Sequence, residues 1–157
     1  MALAKQKPGS EQAPKLDDFL CFAIYSANLA MNRIYKPVLD ELGLTYPQYI
    51  VLVALYEQDD QTVSGLGNKL FLDSSTLTPL LKRMEAVGHL TRQRDTEDER
   101  QVRVRLTPQG RSVRERAIAF RGDLVKAIGL GTAEFGQLRE QLVKLRANLT
   151  DTVDAKP

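Results

Sequence analysis

Residues 71–107 read FLDSSTLTPLLKRMEAVGHLTRQRDTEDERQVRVRLT, and two hydrophobic periods meet inside them. Leu77, Leu80, Leu81, Met84 and Val87 recur at helical spacing, which predicts one apolar face of a helix that Gly88 ends. From Leu90 the period becomes two. LTRQRD and QVRVRL alternate apolar and basic residues, and TEDER lies between them. That predicts an antiparallel hairpin with Leu90, Val102, Val104 and Leu106 inward and the arginines outward. Pro79 is awkward in the helix because it has no backbone donor: either Ser75 is the cap and Pro79 falls just inside the first turn, or the helix bends.

Working outward, a short helix is expected over about Ser64–Leu70, weakened by Gly65 and Gly67, after a loop at EQDDQT (residues 57–62). A helix beginning near Thr45 carries Tyr49, Leu52, Val53 and Tyr56. Another runs from Asp17, with Asp17 or Asp18 as its cap, through Leu20, Ile24, Ala27, Met31, Ile34 and Val38 to Gly43. Downstream, TPQG starts a helix at Thr107 that reaches about Ile128; IGLGT breaks it, and Thr132 caps a last helix ending near Asp151. The expected class is mainly α: four helices, a hairpin, two helices. Four segments follow: a flexible arm over 1–15, a long helix over 16–45, a helix-and-hairpin region over 46–106, and C-terminal helices over 107–157.

Helix, short turn, helix and hairpin in this order form a winged helix-turn-helix arrangement. The second helix of the pair would enter the major groove and the hairpin an adjacent minor groove. Ser74, Ser75, Thr76 and Thr78 at the start of that helix can approach bases or phosphates, and Lys82 and Arg83 suit phosphate or guanine. In the hairpin, Arg92, Arg94 and Arg100 are the candidate contacts. Asp98 is expected to hold the Arg100 guanidinium in a bidentate pair and aim it into the groove, offsetting an acidic tip. The net charge of +2 announces no nucleic-acid partner, but its distribution does: residues 82–116 hold ten Lys and Arg against six Asp and Glu.

No apolar run approaches the roughly 20 residues that span a bilayer, so no membrane partner is expected. With one cysteine no internal disulfide can form, which suits a reducing compartment, and the cytoplasm is the expected location. His89 is the only histidine, so a multi-histidine metal site is excluded; it reads as a residue at a helix end. The two Gly-Leu-Gly stretches lack the Lys-Ser/Thr of a phosphate loop. No metal and no cofactor is expected.

The lone thiol, Cys21, reads first as a small buried hydrophobe. Its place near a helix start favours negative charge on sulfur, and Asp17 and Asp18 oppose that. Cys21, Tyr25, Asn28, Asn32 and Tyr35 share one helical stripe. Tyr25 is one turn from the thiol. Tyr35 is fourteen residues on, roughly 21 Å along a straight helix, and cannot touch the Cys21 of its own chain. It could touch that of an antiparallel partner helix.

Three segments resemble MarR-family regulators, specifically the organic-hydroperoxide-sensing OhrR subgroup: LCFAIYSANLAMNRIYKPVLDELGLTYPQY, LFLDSSTLTPLLKRMEAVGHLTR and DERQVRVRLTPQG. The resemblance covers about residues 16–120. It implies a homodimeric repressor on a pseudo-palindromic double-stranded DNA operator, with Cys21 reactive and Tyr35 and Tyr46 donating hydrogen bonds to it from the other subunit. It also implies that an organic hydroperoxide converts the thiolate to a sulfenic acid and that further oxidation releases DNA. Many relatives lock the oxidised state with a second cysteine; the corresponding AFRGDLVKAIGLGTAEFG has none. A lasting switch then needs a mixed disulfide between Cys21 and a small thiol, or over-oxidation to sulfinic or sulfonic acid. The rivals are a regulator induced by a small phenolic or lipophilic ligand with Cys21 inert, a cysteine peroxidase, against which the hairpin and the absent resolving cysteine argue, and a purely structural dimer.

Overall fold

The computed structural model describes residues 13–155, so most of the expected arm over 1–15 lies outside the described residues. The chain divides into two compact units, residues 1–46 and 47–157.

In the first unit, a 3-10 turn (Leu16–Asp18) precedes α1 (Leu20–Glu41). The expected cap is corrected here. Phe19, which has no capping oxygen, is the cap residue, and Asp18 Oδ2 instead accepts the backbone N–H of Lys15 at 2.9 Å and closes the preceding turn. Cys21 is thereby the second residue of α1 rather than one turn in. The other end follows the glycine rule. Gly43 takes φ +66°, its N–H donates to Asp40 O at 3.1 Å, and Leu44 N–H donates to Leu39 O at 2.8 Å. That is a Schellman ending, which a residue with a Cβ adopts reluctantly.

The helix α2 (Tyr46–Glu57) opens at the end of the first unit and leads into the second, burying Tyr49, Val51, Leu52, Ala54 and Leu55. The second unit continues with β1 (Gln61–Thr62), α3 (Val63–Leu70), α4 (Ser74–Ala86), β2 (Leu90–Arg94), β3 (Val102–Leu106), α5 (Pro108–Ile118), α6 (Arg121–Ile128) and α7 (Thr132–Asp154). Leu66, Leu77, Leu81, Met84, Leu90 and Val104 are fully enclosed, so the helix pair and the hairpin share one core. The hairpin pairs Leu90 with Leu106, Arg92 with Val104 and Arg94 with Val102.

Four sequence expectations change. The EQDDQT loop ends in a strand, β1, which pairs antiparallel with β3 and makes the sheet three-stranded in the order β1-β3-β2. Two residues are too short a run to show alternation. The helix expected from Thr107 to Ile128 is two helices: at Ala119–Phe120 the N–H of Phe120 donates to Ala117 O at 3.4 Å, a three-residue step, and the ladder restarts. Gly131 rather than Thr132 caps α7, and Glu134 Oε2 accepts its N–H at 3.0 Å. Asp73 rather than Ser75 caps α4, accepting the Thr76 N–H at 2.8 Å, so Pro79 lies beyond the first turn. The missing donor there leaves the Ser75 carbonyl without its helical partner.

Glycine is required where α3 meets the turn that follows it. A Cβ on Gly67 would stand 2.7 Å from the Leu72 carbonyl oxygen, so the α3–α4 turn folds directly against α3.

Candidate nucleic-acid interface and redox site

The start of α4 is organised by Asp73, whose Oδ1 also accepts the Ser75 hydroxyl at 2.6 Å. Ser75 and Thr76 lie exposed beside this cap, and Lys82 and Arg83 are exposed further along the helix. Leu77, Leu80, Leu81 and Met84 hold the opposite face in the core. A concavity of about 280 Å³ opens between the starts of α3 and α4 and the hairpin. Ser74, Thr78, Arg92 and Arg100 line it together, with Thr62 and Ser64. Sequence reading had singled out the first four; Thr62, which caps α3 by accepting the Gly65 N–H at 3.0 Å, and Ser64 were missed.

The arginines divide into two groups. Arg103 Nε donates to Asp60 Oδ1 at 2.7 Å and its Nη1 to Asp95 Oδ2 at 3.0 Å; Arg105 Nη2 donates to Asp60 Oδ2 at 3.1 Å. Arg111 pairs with Asp59. Arg92 is held by Glu85 through its guanidinium and its backbone N–H. Among the described residues, Lys82, Arg83, Arg94 and Arg100 make no ion pair. Four of the ten bases in residues 82–116 are thus paired inside the fold and Arg114 lies over the Tyr56 ring, which leaves these four and Arg116 without an ion pair among the described residues.

Two expectations are corrected. Arg92 does not project freely outward: alternation puts it on the face of Leu90, and it is half-buried against Glu85. Asp98 does not hold the Arg100 guanidinium. Its Oδ1 accepts the Arg100 backbone N–H at 3.1 Å and its Oδ2 the Gln101 side-chain amide at 3.2 Å. At a separation of two residues the backbone donor lies nearer than the end of a long side chain, the geometry of an Asx turn. Asp98 shapes the tip and leaves Arg100 exposed there.

Electrostatics agrees with this division. Hydrogen bonds from Arg103 and then Arg105 hold the Asp60 carboxyl below its ordinary pKa, and backbone donors at Glu97 together with Arg103 do the same for Asp95.

In the first unit Cys21 is exposed in the opening turn of α1, which contains no acidic side chain. Tyr25 is exposed and its ring lies 6.5 Å from that of Phe22. Tyr35 and Tyr46 pack edge to face with centroids 5.2 Å apart. Burial raises the Tyr46 pKa, so its phenol stays protonated as a donor. One unbroken helix separates Cys21 from Tyr35 by fourteen residues, roughly 21 Å of rise. The tyrosine pair and the thiol thus lie apart along α1 in a single chain.

Comparison with known proteins fits this architecture. Residues 33–116 match the family described as transcriptional regulator SarA/Rot. The organic hydroperoxide resistance transcriptional regulator of Bacillus subtilis is 42% identical over 135 residues, 86% of this chain and 92% of that protein. This chain belongs to the MarR-like winged-helix regulators of transcription. Another relative of this MarR-like regulator, the HTH-type transcriptional regulator TtmR of Methylorubrum extorquens, is 43% identical over 141 residues, 90% of this chain and 72% of that one. Reduced AbfR bound to DNA, the regulator from Staphylococcus epidermidis, superposes with a TM-score of 0.70 at 34% identity, covering 83% of this chain and 91% of that chain. Over-oxidised AbfR bound to DNA superposes with a TM-score of 0.69 at 33% identity over the same shares. These relatives are regulators and not enzymes, which supports a non-enzymatic role for this MarR-like chain. In a winged-helix regulator, α3 and α4 are the helix-turn-helix pair, α4 is the recognition helix and the hairpin is the wing. No single described helix is long and apolar enough to cross a membrane.

Proposed function

We propose that this regulator is a homodimeric repressor that leaves a pseudo-palindromic operator when an organic hydroperoxide oxidises Cys21. The observation that carries the reading is the separation just described: an accessible thiol at one end of α1, and a tyrosine pair with a protonated phenol at the other. A second copy with its α1 antiparallel brings the two half-sites together twice, by symmetry.

Exposed apolar side chains support that second copy. Leu138, Leu142, Leu145 and Leu149 recur on α7 at spacings of four, three and four, and Leu138, Leu142 and Leu149 are 45%, 45% and 58% exposed. Leu20, Ile24 and Leu29 are exposed on α1. The α7 stripe has the spacing of a seam for another helix.

The Cys21 thiolate attacks one peroxide oxygen, the O–O bond breaks, the alkoxide leaves and takes a proton as alcohol, and sulfur is left as the sulfenate. A small thiol then condenses with the sulfenic acid to a mixed disulfide, releasing water. Tyr35 and Tyr46 hold the sulfur in its reduced form; Tyr25, one turn from Cys21, borders it. Shifting occupancy from 99:1 to 1:99 takes about 5.5 kcal/mol. One charge-assisted hydrogen bond supplies roughly 1–3 kcal/mol, so rearrangement at the dimer interface supplies the rest. Over-oxidised AbfR has been seen on DNA, which favours the mixed disulfide over sulfinic acid as the releasing state. On the operator, Ser74, Ser75, Thr76, Thr78, Lys82 and Arg83 serve the major groove, and Arg94 and Arg100 the wing contact.

The test is a gel shift on operator DNA with wild type and Cys21→Ser, before and after organic hydroperoxide plus a small thiol. Release of the wild type alone is expected. Release of the serine variant as well rejects Cys21 as the sensor.

A further inference from the structure

Glu85 stands in the last turn of α4 and Arg92 at the centre of β2. Glu85 Oε1 accepts the Arg92 backbone N–H at 2.9 Å, while Oε2 accepts Nε at 3.0 Å and lies 3.0 Å from Nη2. Both carboxylate oxygens are engaged by one residue, and the side chains are only 36% and 21% exposed. Such forked, charge-assisted contacts fix an angle as well as a distance.

The position matters more than the strength. Between Glu85 and Arg92 runs the joint from recognition helix to wing, and it contains Gly88 at φ +81°. A glycine there gives the joint the conformational freedom that other residues lack. Arg92 lies in the lining of the concavity that also holds Ser74, Thr78 and Arg100, so the clamp sits directly behind the surface offered to DNA. Asp60 grips the other side of the hairpin through Arg103 and Arg105 on β3, but that anchor leads towards the end of α2. Glu85 is the carboxylate that ties the wing to the recognition helix itself.

We propose that Glu85 is a positioning residue for operator binding: through Arg92 it sets the pitch of the wing against the recognition helix, so that α4 and Arg100 reach their two grooves in register. Arg92 acts through the fold and is no phosphate contact. The inference rests on the DNA-binding reading above and adds a residue of negative charge to it. That sign makes it testable. A carboxylate beside a phosphate-facing surface opposes binding by simple electrostatics, so its removal should tighten the complex. A positioning role demands the reverse.

The experiment uses reduced, full-length protein, an operator duplex obtained by selection from random sequence, and an unrelated duplex, read by fluorescence anisotropy. Glu85→Gln is expected to weaken operator binding by about tenfold and to leave the unrelated duplex within about twofold, because specific binding alone needs both grooves met in register. Hydroxyl-radical protection should fade at the wing-contacted flanks and persist at the centre of each half-site. Exchanging the charges, Glu85→Arg with Arg92→Glu, should recover part of the loss. Should Glu85→Gln fold poorly, Glu85→Asp, which keeps the charge but shortens the reach, is expected to shift specificity in the same direction. Equal or tighter operator binding by the variants, or equal loss on both duplexes, overturns the proposal. A wild type that selects no operator overturns the DNA reading with it, whereas a wild type that binds and variants that bind as well overturn Glu85 alone.

Discussion

Tyr35 and Tyr46 meet edge to face, ring centroids 5.2 Å apart and planes at 61°, across the turn that ends α1. Eleven positions separate them in sequence, and the Schellman ending at Gly43 folds the chain back so that the rings touch. The two phenols therefore form one unit, and one can be altered without dismantling the other. Tyr35→Phe keeps the stack and deletes one donor. It is expected to leave reduced operator affinity unchanged and to change the rate of peroxide-driven release by up to about tenfold, the equivalent of one hydrogen bond. Stopped-flow release after peroxide addition reads this; an unchanged rate removes Tyr35 from the sensor.

Asp60 pairs with two wing arginines, so Asp60→Asn should free Arg105 and leave Arg103 paired with Asp95 alone. Binding to unrelated DNA is expected to tighten while the ratio of operator to unrelated affinity falls by about tenfold, since charge helps every duplex and wing placement helps only one. The pH dependence has a definite sign. A carboxyl held below its ordinary value stabilises the fold above about pH 4, and that contribution is lost as pH falls through the depressed value. Acid unfolding of Asp60→Asn should start from lower stability and show a shallower slope there.

His89 is 6% exposed, and its Nδ1 has no partner among the described residues. Burial lowers its pKa, so the fold prefers the neutral ring. The unfolded chain takes up the proton first, near pH 6.5, and stability that is complete above this value declines as pH falls below it. Urea midpoints between about pH 6.5 and 5 should fall for the wild type and stay flatter for His89→Gln. Identical slopes in the two proteins contradict the assignment.

A Cβ on Gly110 would lie 1.9 Å from the His89 carbonyl oxygen, where α5 crosses the root of the wing. Gly110→Ala is expected to destabilise by about 3 kcal/mol or more, because backbone cannot yield as a side-chain tip does. Gly136→Ala, with open space around its Cβ position, is the control and should be neutral or mildly stabilising. Chemical denaturation of both variants decides.

Replacing Leu142 and Leu149 by arginine places charge in the exposed stripe of α7. A monomer in sedimentation, with operator affinity reduced by at least about a hundredfold, is expected if that stripe is the dimer seam, since each half-site alone contributes little specificity. A double variant that remains a dimer disproves the seam.

Much of this protein was legible in one dimension. Period three-to-four in Leu77–Met84 and period two in Val102–Leu106 defined the recognition helix and the wing strand, because each element repeats its burial along its own length. Fourteen residues on one helix were enough to separate Cys21 from Tyr35, because the rise per residue is fixed. Tertiary structure decided which charges are free. Nothing local links Asp60 to Arg103 or Arg105, more than forty positions away, or tells Arg92 from Arg94 two residues on; the first contact depends on β1 joining the sheet and the second on Glu85 facing the hairpin. Pairing of charges is a property of elements brought together in space, and no period along the chain records it.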